Sequence, residues 1–363
     1  MNNRLRLPLK KNHPTRQLFG LLGSVCLCYA TPGYATPDNV ASQDFSETKA
    51  EVAQSAEFLV SENPNSQENI VPAAIQWDSL TVETNYDFNN FDQTNLRFEP
   101  SLTGTLSNGD QINITTGFNQ FQQEDVDTIT NIPISISWQR QFDGGSSVQL
   151  RGGVDLYNRL NAQPSINLKG SLPLGKTVTL TMTVDHAPYK FNAQTIENRI
   201  TAWRYGPDIY WQIDPHTSLF SLLRFGNYDD GNHEQVSFSR LEHKLLEQRL
   251  SLALNVFSWQ YTQDLESSSG YFSPPDFLVI AGEVAWQQDI TETVNCRLAG
   301  NLGEQRLNGS WALAYGYEGG CAIQASSNVA LNLGYKYTNI LDDSSSSSAF
   351  NNQKITGGLH IDF

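Results

Sequence analysis

The sequence predicts an all-β fold, a transmembrane antiparallel β-barrel of about 16 strands, and three observations carry that expectation. First, from Ile75 onward the chain is a run of short segments with apolar residues at alternate positions, among them "SLTVETNY", "QINITTGF", "IPISISWQ" and "TVTLTMTVDH". A period of two is the mark of a strand with two unlike faces. Second, the connections alternate between tight and longer. The tight set is "SNGD" (107–110), "DGGS" (143–146), "PLGK" (173–176), "DPHT" (214–217), "KLLEQ" (244–248), "DITE" (289–292) and "SSN" (326–328). The longer, often acidic set is "FQQEDVDT" (121–128), "NYDDGNH" (227–233), "DLESSSGYFSPP" (264–275), "GEQRLN" (303–308) and "NILDDSSSSSAFNNQ" (339–353). Short turns on one rim and longer loops on the other are the habit of membrane barrels. Third, the chain closes on "ITGGLHIDF", whose Ile355, Gly357, Leu359, Ile361 and Phe363 share one side of an extended strand up to the final carboxylate. Termini usually fray, whereas a last strand that pairs with the first has no free edge.

Three regions precede or form this pattern. Residues 1–35 join a basic stretch, "MNNRLRLPLKKNHPTRQ", to an apolar run, "LFGLLGSVCLCYA", and read as a signal peptide cleaved after Ala35, with Ala30 the second candidate. About 13 apolar residues are too few to span a bilayer as a helix. Residues 36–74 are acidic, rich in Ser, Asn and Gln, and read as a disordered periplasmic linker. Residues 75–363 form the barrel. The count reaches 16 when 195–214 is one long strand, and an even number sets both termini on the periplasmic side. A secreted β-sandwich also alternates, but faces such as Trp311, Leu313, Tyr315 and Tyr317, with aromatics near the rim, suit lipid better than a partner sheet.

Charge narrows the function. The chain has 23 Lys and Arg against 38 Asp and Glu; without the five basic residues of the leader, 18 remain and the net charge is near −20. That balance argues against nucleic acid, which needs a basic footprint, and against docking on anionic lipid. No CxxC or HExxH pattern occurs, so no metal or cofactor is expected. His186, His216, His233, His243 and His360 scatter over different strands and turns, which argues against a barrel hydrolase and for a protein that is not an enzyme. Cys296 and Cys321 fall in the outward register of consecutive strands; a cross-strand disulfide and two separate thiols both remain open.

The face opposite the apolar one lines the lumen. Its charges are Glu83, Arg97, Glu99, Arg151, Asp155, Lys169, Asp185, Arg204, Asp208, Arg224, Glu283, Arg297, Glu318, Lys336 and Asp362, seven basic and eight acidic, with Tyr157, Tyr210 and Phe220 among them. A one-signed lumen steers ions or a charged polymer; a balanced one suits an uncharged hydrophilic chain.

Two loops carry a family likeness. "NYDDGNHEQVSFS" holds Asp230, Gly231 and Asn232, and "SSGYFSPPDFLVIAGEVAWQQDI" holds Gly270, Tyr271, Phe272, Ser273 and Pro274. These resemble the outer-membrane barrels of exopolysaccharide exporters, above all the C-terminal barrel domain of the outer-membrane component of cellulose synthase, with the poly-N-acetylglucosamine porin as a relative. The resemblance is carried best by residues 195–363. It implies a 16-stranded pore that passes a nascent polysaccharide, a cellulose-like glucan being one candidate, without covalent chemistry, and with the two motifs contacting polymer or shaping loops. It also implies that Phe363 is the signal read by the barrel-insertion machinery, and that the partners are outer-membrane lipid and the nascent polysaccharide. Such exporters precede the barrel with tetratricopeptide repeats; no such periodicity is present here, so either a separate periplasmic scaffold protein supplies that part or the barrel serves another use. A general diffusion porin and a surface barrel whose loops bind a partner are the alternatives. An inward-folded constricting loop would favour the porin; with no loop longer than about 16 residues, none is expected.

Overall fold

The computed structural model describes residues 75–90, 92–340 and 351–363; the expected leader and linker lie outside them. Among these residues seventeen β segments follow one another. They are β1 (Ile75–Asn89), β2 (Thr94–Leu106), β3 (Gln111–Thr116), β4 (Phe118–Gln123), β5 (Val126–Gln141), β6 (Ser147–Tyr157), β7 (Gln163–Pro173), β8 (Val178–Pro188) and β9 (Thr201–Gln212). Then come β10 (Thr217–Tyr228), β11 (His233–Leu245), β12 (Leu250–Tyr261), β13 (Phe277–Thr291), β14 (Val294–Leu307), β15 (Ser310–Ser326), β16 (Val329–Thr338) and β17 (Asn352–Asp362). β3 and β4 are two halves of one strand broken at Gly117, where a Cβ would collide with the Phe98 carbonyl oxygen. Only glycine lets the backbones approach so closely. The barrel therefore has 16 antiparallel strands.

β1 closes it. Val82 lies opposite Pro100 of β2 on one side and Leu359 of β17 on the other. The terminal strand is paired up to Asp362, and the Phe363 amide donates to the Asp78 carbonyl, which accounts for the ordered end.

The strand expected over 195–214 is shorter than the sequence suggests. Residues 193–197 wind into a helical turn, α1 (Ala193–Glu197), and the strand begins at Thr201. Asn192 caps the turn by accepting from the Thr195 amide at 2.8 Å, a bond that competes with strand pairing. The parity survives because β9 remains one strand. Two of the expected longer loops also differ. "GEQRLN" and "FQQEDVDT" are the ends of long strands, closed by Asn308-Gly309 and Glu124-Asp125. Asn308 and Gly309 both have positive φ, the conformation a two-residue hairpin favours.

Apolar side chains of the outward register, including Ile134, Leu168, Met182, Leu254, Leu302 and Leu313, are exposed. Exposed apolar belts of this extent call for lipid. Near the rim remote from the termini, Tyr315, Tyr317, Tyr335 and Tyr337 form an outer aromatic patch, with Tyr317 stacked on Tyr337 at 5.1 Å.

Cys296 and Cys321 lie directly opposite on β14 and β15 and are joined in a disulfide. The strands are already paired there, so the bridge acts chiefly on the unfolded chain, by about 3 kcal/mol for a closed loop of this size. Replacing both cysteines by alanine is expected to lower the denaturant midpoint of unfolding while leaving channel conductance unchanged, which an unfolding titration and a bilayer recording check.

At the terminal rim, Asp110 accepts from Arg140 through two bonds of 2.7 Å and from the Trp138 indole at 2.9 Å. The Arg140 guanidinium holds the Asp110 carboxyl down at about 2. A depressed carboxyl stabilises the fold above its unfolded value near 4 and loses that effect as pH falls through about 2. The gap in unfolding midpoint between the native protein and D110N should thus be largest above pH 4 and narrow towards pH 2.

Candidate functional site: a plugged lumen

The register turns the predicted charges inward, and many of them meet another charge. Arg224 lies 2.6 Å from Asp208, and Arg204 3.7 Å from Asp185. Glu283 takes Arg297 at 2.9 Å and Arg240 at 2.8 Å; Arg240 also holds Glu242, and Arg297 bonds Glu318. Lys336 faces Glu318 across the β15–β16 ladder. Arg151 and Lys169 occupy inward positions on β6 and β7, and Glu83 and Asp362 do so on β1 and β17. The Tyr210 hydroxyl donates to Gln212 at 2.7 Å, and Phe220 packs on an inner aromatic cluster. Arg240 and Glu242 also face the lumen, in step with the outward Leu241 and Leu245 of β11, whereas Lys190 lies beyond β8, outside the strand pattern.

Contrary to expectation, the lumen is crossed by inward-folded chain at the rim remote from the termini. Two segments do this: residues 189–200 between β8 and β9, and residues 262–276 between β12 and β13. The first buries Tyr189, Lys190, Phe191, Asn192, Ala193, Ile196 and Ile200; the second buries Tyr271, Phe272 and Ser273. Loop length is a poor guide to constriction. A short loop suffices when its side chains are large and its ends fold inward.

Each segment is fastened to the wall and to the other. On one side, Ala193 and Ile196 of α1 pack against Phe121 and Ile129, which point inward from β4 and β5. Lys190 reaches Asp155 of β6 at 2.6 Å, both side chains almost wholly buried. On the other side, Tyr189 and Phe191 join Tyr228, Trp259, Tyr261, Tyr271 and Phe272 in an aromatic core inside the barrel. Arg204 lies over the Tyr189 ring at 5.5 Å. Burial pushes the Tyr189 and Tyr271 phenols upward, so both stay neutral across the physiological range.

The two motifs of the family resemblance are brought together here. Asp230 accepts from the Tyr271 hydroxyl at 2.9 Å and from Ser269 at 2.7 Å. Asn232, fully buried, donates to the Gln263 carbonyl at 2.9 Å and to Tyr271 at 3.2 Å, and accepts from the Gln263 amide at 3.1 Å. The Ser273 hydroxyl accepts from the Leu265 amide at 2.8 Å, and Pro274 offers its carbonyl to the Tyr261 amide at 2.8 Å. Gly270 ends a short helical turn, α2 (Glu266–Ser269), at φ 84°, where a Cβ would meet the Gln194 side chain at 2.7 Å. Its lack of a side chain lets α2 close on α1. Asn192 then bonds the Gly270 carbonyl, and Asn198 bonds those of Ser268 and Ser269. These motif residues are a clasp between two inward segments, with Phe272 in the aromatic core and Gly231, at φ 86°, turning the chain between Asp230 and Asn232.

The fold is that of an outer-membrane β-barrel. A bacterial polysaccharide outer membrane secretin is similar to this chain at a TM-score of 0.65 and 9% identity, over 79% of this chain and 98% of that one. CdiB from Acinetobacter baumannii is similar at 0.51 and 11% identity, over 78% and 60%. OprD from Pseudomonas aeruginosa reaches 0.42 at 7% identity, over 79% and 94%. No protein-family model matches the chain, and no curated protein does.

Proposed function

We propose that the protein is an outer-membrane pore for exporting an uncharged, hydroxyl-rich polysaccharide, related to the barrel of the cellulose synthase outer-membrane component. The observation that carries the reading is the lumen's internal charge pairing. Arginines and carboxylates neutralise one another, as at Arg224–Asp208 and Arg297–Glu283, so the walls exert little net field on a neutral chain. The secretin likeness supports it through that protein's description as a polysaccharide secretin. In this reading both termini are periplasmic, Phe363 is the insertion signal, a separate scaffold protein feeds the pore, and no covalent chemistry occurs.

The second reading is a constricted diffusion porin, favoured by the two inward-folded segments. Liposome swelling separates the two. With the clasp released by N232A, export predicts faster entry of neutral oligosaccharides than of charged ones of equal size. Equal entry of both, or of small solutes alone, would instead favour the porin.

A further inference from the structure

Across β1, β2, β4, β5 and β6, five consecutive ladder positions at one level face the lumen: Asn85 opposite Arg97, Arg97 opposite Asn119, Asn119 opposite Asn131, and Asn131 opposite Tyr157. In this row the Oδ1 atoms of Asn85, Asn119 and Asn131 and the Nε of Arg97 are buried without a hydrogen-bond partner among the described residues. Buried polar groups in folded proteins are nearly always paired, and an isolated exception is common enough. Four at adjacent positions of one row are not scattered exceptions. The amide nitrogens of two of them are engaged: Asn119 donates to Glu99 at 3.0 Å, and Asn131 donates to Asp155. These bonds fix the amides and leave their oxygens as oriented acceptors.

We infer that this row is a saccharide-binding belt, covered in the plugged state and uncovered when α1 withdraws; the inference rests on the export reading above and names its subsite. Three amide oxygens ask for donors, and the arginine Nε asks for an acceptor. A sugar hydroxyl is both at once. The neighbouring carboxylates Glu83, Glu99 and Asp155 disfavour an anionic sugar, while Arg97 and Lys190 disfavour a cation. The Phe121 ring, with the Arg97 guanidinium 6.0 Å from its centre, offers an apolar surface for the face of a pyranose ring. Over the β4–β6 part of the row the cover is α1, whose Ala193 and Ile196 pack on Phe121 and Ile129 in the same cluster as Tyr157. The plug thus closes over the Asn119–Asn131 part of a polar row that it does not satisfy, and an ordered water is the alternative occupant.

Calorimetric titration of the detergent-solubilised full chain with cellohexaose tests this. The native protein should bind weakly, and I196D, which puts a charge into the α1 contact, should bind severalfold more tightly. Adding N119L and N131L to I196D removes two oriented acceptors at nearly constant volume and should weaken binding about tenfold or more. If I196D binds cellohexaose equally well with and without the two asparagines, the belt is not the site, while the export reading stands. If no variant binds cellohexaose, the row holds water only and the inference is overturned; the swelling assay then decides the export reading independently. Should I196D fail to fold, E197A with N198A releases α1 through its outer bonds, to Arg159 and to the α2 carbonyls, and the same comparison applies.

Discussion

Deleting residues 193–199, with a short glycine bridge in their place, is expected to raise single-channel conductance severalfold over that of the native protein. The removed piece contains α1, the only helical turn of the segment among the described residues, together with two of its fastenings. Ala193 and Ile196 anchor it to β4 and β5, and Asn198 anchors it to α2. The β strands are unaffected, because α1 contributes nothing to the ladders on either side, so the heat-dependent gel shift of a folded barrel should persist. Releasing only the clasp, by D230A or N232A, should give a smaller and noisier increase. Asp230 and Asn232 hold the second segment to the wall, but its aromatic packing around Trp259 and Phe277 remains. An unchanged conductance in the deletion variant would mean that the segment carrying α1 does not limit the pore.

K190M should be the most destabilising single change in the barrel interior. Lys190 and Asp155 lie 2.6 Å apart with 4% and 3% of their side chains exposed, so the variant leaves a buried carboxylate without its cation. Breaking such a pair costs roughly 3–5 kcal/mol, whereas replacing both partners with apolar groups of similar volume is often neutral. The double variant K190M/D155L should therefore recover much of the loss. It will not recover all of it, because Asn131 donates to Asp155 as well. Urea unfolding in detergent or lipid reads the three midpoints; equal losses in the single and double variants would mean that an uncompensated Asp155 charge is not the source of the loss.

Much of this architecture is legible in the sequence because a period of two shows which face meets lipid wherever that face is the apolar one. β5 to β8 and β14 to β17 follow the rule, as Ile132, Ile134 and Ile136 on β5 or Leu331, Leu333 and Tyr335 on β16 illustrate. The lumen charges follow from the same alternation. The plug does not, and the physical reason lies in β11 and β12. There the upper half reverses the pattern: Val236, Phe238, Phe257 and Trp259 point inward and are buried, while Gln235, Ser237, Ser258 and Gln260 point outward. Apolar residues inside a barrel need something apolar to pack on, so that reversal is the readable sign of inward-folded chain. The 195–214 stretch imitates a single strand for a related reason. Its alternation from Trp203 to Trp211 is real, but the capping Asn192 and the bulky Tyr189, Phe191 and Ile196 before it belong to a different element. The motif residues around Asp230 and Tyr271 are visible as turn formers, but their mutual bonds span about 40 positions, which local pattern does not encode.

Whether the pore is built for an uncharged chain is decided by planar-bilayer recording from the refolded 193–199 deletion variant, with cellohexaose and an oligogalacturonate of matched length added in turn to the terminal-rim side. Concentration-dependent block by the neutral glucan is expected, with little or none by the anionic one. A large, weakly selective current that neither sugar blocks, or block by the anionic sugar alone, would contradict a pore built for an uncharged polysaccharide.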